Sequence, residues 1–203
     1  MGCMAEKLSD TAYEVRARIL EVSRERFGHY GYGKTTMAEI AKDCRMSAAN
    51  LYRFFENKQD IGAGLACQCF AEDEGKLRAA LARTDLNAAE KLELFVLETL
   101  RHTYDQWSKQ PKLNELVQTM SSERADLMYA HRKAKQVMLI GLLTEGIAAG
   151  EFDAPNPATA ADAILFAITI FDVPFFMHLY SEDTWKAMAR NVAQLVVRAV
   201  RRC

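Results

Sequence analysis

The segment MSAANLYRFFENK, residues 46–58, gathers Ala48, Ala49, Asn50, Tyr52, Arg53 and Lys58 on one short stretch. These residue types suit contact with duplex DNA. Asn50 can donate to and accept from adenine in the major groove, and small residues let a backbone approach base edges while their methyls meet thymine methyls. Tyr, Arg and Lys bind phosphate oxygens. A helix that only fills a core needs no Arg between Tyr52 and Phe54. Other chemistries find less support. There is no nucleophile elbow or glycine-rich phosphate loop, and His29, His102, His131 and His178 lack metal-ligand spacing. The expectation is therefore no enzyme, no catalytic residues, no metal site and no cofactor.

Two capped helices should hold that segment. Thr36 followed three residues later by Glu39 is a capping box, with Ile40 and Ala41 as the buried face of a short helix. Ser47 caps a second helix over 47–53. Two short helices joined by the tight turn "CRM" form a helix-turn-helix. Leu51 and Phe55, four apart, face inward, while Tyr52 and Arg53 face the phosphates. Arg45 in the turn and Ser47 at the cap join Thr36 and Lys58 as candidate DNA contacts. Lys58 lies in the first turn of the next helix, whose N-terminus also favours an anion.

The remaining signals are helical throughout. Apolar spacing predicts a helix over 9–31, stopped by GYG at 31–33. Asn57 and Asp60 open a helix running to about Arg83, and the NAAE of residues 87–90 opens one ending before Pro111. A further helix is expected from near Ser122 to Ala149, closed by Gly150 in a left-handed cap with Phe152 as its apolar clasp. Asn156-Pro157 then starts a largely apolar helix over 158–180. The last helix, 183–200, places Trp185, Met188, Val192, Leu195, Val196 and Ala199 on one side. No strand or repeat is expected.

Bulk properties fit this picture. The chain has 203 residues, half of them hydrophobic and 26% charged, which excludes a disordered or fibrous chain. A net charge of -1 excludes a nonspecific polycation, so any nucleic-acid surface must be local. Asp162, Asp172, Pro174 and His178 argue against a bilayer span over 158–180. The N-terminal MGCMAEKLSD has no apolar leader, and a cytoplasmic protein is expected. Cys3, Cys44, Cys67, Cys69 and Cys203 suit free intracellular thiols. A thiol-based sensor using Cys44 or the Cys67/Cys69 pair is the alternative.

Residues 19–65 resemble the DNA-binding domain of the tetracycline-repressor-like (TetR) family of transcriptional regulators. Ile19-Leu20, Phe27, Gly31, Thr35-Thr36, Ile40-Ala41, Ser47, Leu51-Tyr52, Phe55 and Lys58 carry the likeness. The resemblance implies an all-α homodimer, with a three-helix DNA-binding head over 1–57 and a helical effector-binding and dimerisation domain over 58–203. It implies a repressor that binds a palindromic operator and leaves it when a small molecule binds, and it sets Thr36, Asn50, Tyr52 and Lys58 at DNA-contact positions. Two positions depart from the family. Arg45 stands where Gly is common, at a cost of about 1–2 kcal/mol if the residue is left-handed. Asn50 stands where Thr or Ser is common.

The helices over 158–180 and 183–200 are the expected four-helix dimer interface, because one small domain cannot hide so much apolar surface. His102, Trp107, Tyr129, Asp172 and His178 are the effector-binding candidates, polar or aromatic groups in apolar contexts, with Tyr104 and Met120 weighed beside them. The 58–83 helix, loosened by Gly62 and Gly64, is expected to couple effector to DNA. The competing reading is a helical small-molecule carrier or enzyme with a nonfunctional DNA-binding head.

Overall fold

The computed structural model describes residues 10–109 and 111–202. Cys3, Cys203 and the N-terminal decapeptide's first nine residues lie outside this range. The described residues form helices α1 (Asp10–Tyr30), α2 (Met37–Asp43), α3 (Ala48–Leu51), α4 (Lys58–Leu81), α5 (Ala88–Lys109), α6 (Leu113–Glu123), α7 (Ala125–Ala148), α8 (Pro157–Ala167) and α9 (Glu182–Val200). Two 3-10 turns, Thr169–Phe171 and Pro174–Leu179, lie between α8 and α9. The protein is all-α. Its one backbone bridge, Phe152 to Arg201, forms no strand among the described residues. No described helix is long and apolar enough to cross a membrane.

Backbone contacts divide the chain into two compact units. The first comprises the described residues up to Phe70 together with Lys109–Ala130. Its core joins Ile19 and Phe27 of α1, Ile40 of α2, Leu51 of α3, Phe55, Ile61 of α4, and Leu116 and Met120 of α6. Met120 is thus core of this unit. Gly62 and Gly64 have a packing reason: a Cβ would come within 2.9 Å of Leu116 at the first and 2.8 Å of Leu20 at the second. Cys44 is a buried free thiol, whereas Cys67 is disulfide-bonded, a departure from the expectation of free thiols.

The second unit comprises Ala71–Ser108 and the chain from His131 onward. Trp185 is its largest fully buried side chain. It meets Phe171 and Tyr180 edge-on and donates its indole N–H to Met177 O at 3.2 Å. Around it pack Leu92, Phe95 and Val96 of α5, Leu139 and Leu143 of α7, and Ile164 and Leu165 of α8.

The helix expected from near Ser122 to Ala149 is α7. Two expectations change and one helix is additional: α6 precedes α7 and is separated from it at Arg124, with φ -129 and ψ 53. No Gly or Pro marks that junction. The hydroxyls of Thr119, Ser121 and Ser122 instead bond back to Glu115 O, Val117 O and Thr119 O at 2.8–2.9 Å, a competition with the backbone that weakens a helix end. The helix expected over 158–180 stops at Ala167. Pro174 lacks an N–H and its ring excludes the i-4 carbonyl, and Val173 before it is extended. On α9, Leu195 and Ala199 are exposed, while Ala189, Ala193, Val197 and Val200 are buried with Trp185 and Val196.

The cap after α7 is as expected. Gly150 has φ +75, its N–H reaches Ile147 O and the Glu151 N–H reaches Gly146 O, the paired bonds of a Schellman motif. Phe152 is buried and lies against Gly146 so closely that a Cβ there would overlap the ring. Gly146→Ala is expected to destabilise the protein by about 1–3 kcal/mol, read from the midpoint of urea unfolding. A helix-propensity gain alone would give the opposite sign.

Candidate functional site

The α2–turn–α3 segment is built from local bonds. Glu39 N–H donates to Thr36 Oγ1 at 3.3 Å, and Thr36 N–H donates to a Glu39 carboxylate oxygen at 2.9 Å, closing the capping box. Thr36 Oγ1 also donates to Glu39 at 2.8 Å, which with the capping bonds holds that carboxyl below its ordinary range. In the turn, Arg45 N–H reaches Lys42 O and Met46 N–H reaches Ala41 O, both at 3.0 Å. This too is a Schellman motif, with Arg45 at its left-handed position, φ +56. Ser47 Oγ accepts from Asn50 N–H at 3.1 Å and starts α3.

Long side chains fix this segment to α1. Arg26 bridges Glu39 at 2.7 Å and Asp43 at 2.6 Å. Arg16 donates to Phe54 O at 2.5 Å and lies over the Phe55 ring. Lys58 Nζ donates to Tyr32 O at 2.8 Å and lies 4.5 Å above the Tyr32 ring. Glu115 Oε1 accepts from Gly33 N–H at 3.0 Å, and Lys112 donates to His29 O, so α6 grips the loop between α1 and α2.

On the outer side, Thr36, Arg45, Ser47, Ala48, Ala49, Tyr52 and Arg53 are exposed and Asn50 is half-buried. Leu51 and Phe55 are buried. The surface therefore offers an amide, two small residues, a phenol and two guanidinium groups from one turn and one short helix. Lys58 is half-buried and its ammonium already serves two carbonyls of the preceding loop.

Arg45→Gly is expected to raise stability by about 1 kcal/mol, because it removes the left-handed cost at φ +56. Thermal unfolding of the two proteins checks it.

The effector candidates scatter. Tyr129 is exposed and belongs to the first unit. In the second unit, His178 is exposed, donates Nδ1–H to Phe175 O at 2.7 Å and meets the Phe175 ring edge-on. Trp107 is half-buried with Tyr104 at 5.5 Å between ring centroids. His102 is buried, with its Nδ1 3.0 Å from Lys76 Nζ. Burial lowers the His102 pKa, and the nearby Lys76 and Lys135 lower it further.

Asp172 follows the first 3-10 turn and ends in a buried charge cluster. Lys135 of α7, 1% exposed, sits 2.6 Å from Asp172 Oδ1 and 2.8 Å from Asp73 Oδ2 of α4. Burial opposes the Lys135 charge, yet Asp172 and Asp73 raise its pKa above the ordinary value. Burial likewise pushes the Asp73 carboxyl up, but His131 and the Lys135 ammonium overcome this and hold it at about 2. His131 of α7 stands 3.3 Å from Asp73 and 3.1 Å from Glu74. Asp73, His131 and Lys135 were not among the effector candidates read from sequence. One signal marks them: Leu127, His131, Lys135 and Leu139 recur every four residues and are all buried, so a His and a Lys stand on an apolar face.

A sequence model described as tetracyclin repressor-like, C-terminal domain, matches residues 88–193. One described as bacterial regulatory proteins, tetR family, matches residues 19–63. Solved structures with a similar fold include a TetR/AcrR-family transcriptional regulator of Thermobifida fusca, 21% identical over 93% of this chain and 100% of that one, with a TM-score of 0.69. A transcriptional regulator of Cytophaga hutchinsonii is 21% identical over 95% and 100% of the two chains, TM-score 0.72. FadR of Bacillus subtilis, in complex with stearoyl-CoA, is 21% identical over 89% and 97%, TM-score 0.67. No curated protein matches the chain.

Proposed function

The chain belongs to the tetracycline-repressor-like family of transcriptional regulators, and from that premise we propose that it is a repressor which binds a palindromic operator as a homodimer and is released by a small-molecule effector. Residues 1–57 form the DNA-binding head and residues 58–203 the effector-binding and dimerisation part. It works as a cytoplasmic binding protein, with no reaction catalysed. The observation that carries this reading is the α2–turn–α3 surface, where Arg45, Ala48, Ala49, Tyr52 and Arg53 are exposed around Asn50 while Leu51 and Phe55 anchor the helix below. Asn50 and the two alanines meet base edges, and Tyr52, Arg53 and Arg45 grip phosphates. Exposed Phe166 on α8 and Leu195 on α9 supply apolar surface for the second copy.

Selection of bound fragments from a random duplex pool tests it. A two-fold-symmetric motif is expected, with half-sites about one helical turn apart. A folded, effector-free protein that enriches no sequence at low salt would overturn the reading.

A further inference from the structure

We infer that Asp73, His131 and Asp172 form a binding site for a divalent transition-metal ion, in which the Lys135 ammonium holds the cation position when no metal is bound. The site lies wholly within the second unit and is independent of the DNA-binding reading. One ligand atom from each of the three residues lies within 4.8 Å of the other two. Ligands at about 2.0–2.2 Å from one ion lie no more than roughly 4.4 Å apart, so closing on a metal takes a few tenths of an ångström of side-chain movement. Lys135 Nζ is 2.8 Å from Asp73 Oδ2 and 2.6 Å from Asp172 Oδ1, so a positive charge already bridges the two carboxylates.

Two further observations separate this cluster from a plain ion pair. Asp73 is 2% exposed; Lys135 and His131 both stand at its Oδ2, while its buried Oδ1 has no hydrogen-bond partner among the described residues. Buried carboxylates left short of partners are costly, and an ion pair with Lys135 alone leaves Oδ1 unserved. The second observation is the setting of His131. Its Nδ1 lies 3.1 Å from Glu74 Oε1, and its Nε2 lies 3.3 Å from Asp73 Oδ2. With Nδ1–H donated to Glu74, Nε2 is the nitrogen that would ligate a metal, on the side where Asp73 lies. A carboxylate behind the imidazole is also the arrangement that orients a metal-bound histidine. Glu74 is paired with Arg78 at 2.7 Å, so Asp73 and Asp172 share the single ammonium of Lys135.

The donor set names the ion class. An imidazole with carboxylates suits zinc, cobalt and similar dications, whereas magnesium keeps an oxygen-only shell rich in water. Metal entry displaces the Lys135 ammonium, because the two cations claim the same position. No sequence motif announces the site, since its ligands come from α4, α7 and the turn after α8.

The test is a titration of chelator-treated full-length protein with cobalt(II), followed by visible absorption and zinc competition, with no DNA present. Wild-type protein is expected to develop a cobalt band that zinc removes. Asp172→Asn and His131→Gln should abolish it or weaken binding at least ~10-fold, and Glu74→Gln should weaken it about 10–100-fold by freeing the imidazole. Lys135→Met should bind at least ~10-fold tighter, and zinc should raise its thermal midpoint more than that of the wild type. Absence of a band from wild-type protein at large cobalt excess overturns the proposal, whatever the folding of the variants. So does a band that His131→Gln leaves unchanged, which would put the metal elsewhere. Equal affinity of wild type and a folded Lys135→Met overturns the competition by lysine.

Discussion

Lys135→Met lowers the free energy of unfolding by about 3–5 kcal/mol at neutral pH, the range for removing one partner of a buried ion pair. Lys135 is 1% exposed and bridges Asp73 and Asp172. Without it, Asp73 and Asp172 lose the ammonium that bridges them, and Asp73 stays buried. The loss comes from stranded carboxylates and much less from the pair's own attraction, so neutralising the partners repairs it. Lys135→Met combined with Asp73→Asn and Asp172→Asn should recover most of the deficit in urea unfolding, a strongly non-additive result. The pH dependence has a definite sign. Asp73 is held at about 2 against an ordinary 3.8, so in the wild type its contribution is present above pH 3.8 and is lost as pH falls toward 2. In the variant the same carboxyl is raised by burial and takes up its proton earlier. The gap between the two proteins should therefore narrow on acidification. A constant gap from neutrality down to pH 3 would show that the charges are not its cause.

What the sequence revealed depended on how local the responsible bonds are. The Thr36–Glu39 box, the Ser47 cap and the Gly150 turn each close within a few residues, and each could be read from the chain. Arg45, which stands where the family commonly has Gly, takes the left-handed conformation at φ +56. Helix α6 was not read from the sequence; its junction with α7 rests on hydroxyls of Thr119, Ser121 and Ser122, with no Gly or Pro to mark it. The apolar run over 158–180 looked continuous, yet Pro174 and the polar anchor at Asp172 turn it into short 3-10 segments. The buried cluster was half visible. His102 and Asp172 stood out as polar groups in apolar surroundings. Their partners Lys76 and Asp73 were not singled out, because contacts across 26 to 62 positions leave no local trace, and Lys135 shows only as a charge on the apolar face of α7.

The DNA-facing residues separate by what their side chains already do in the free protein. Arg53 is exposed and, by the proposed reading, neutralises a phosphate. Arg53→Ala should weaken binding about equally on all duplexes and lower the salt slope by about 1. Asn50→Ala should cost about 1–3 kcal/mol of discrimination at one base position and leave the salt slope unchanged. The triple variant Asn50→Ala, Tyr52→Ala, Arg53→Ala should lose at least ~100-fold in operator affinity, since base readout and phosphate grip go together. Its fold should persist, because none of the three belongs to the buried core that Leu51 and Phe55 share with Ile40. Lys58 behaves differently. Its ammonium holds Tyr32 O at 2.8 Å and caps the Tyr32 ring. Lys58→Met should destabilise the first unit by about 1–2 kcal/mol and weaken DNA binding by loosening the loop that carries Thr36. The salt slope would then fall by less than a whole ion. Gel-shift affinities of these variants across a salt series decide the matter. A slope lowered by a full ion, with stability unchanged, would return Lys58 to the phosphates.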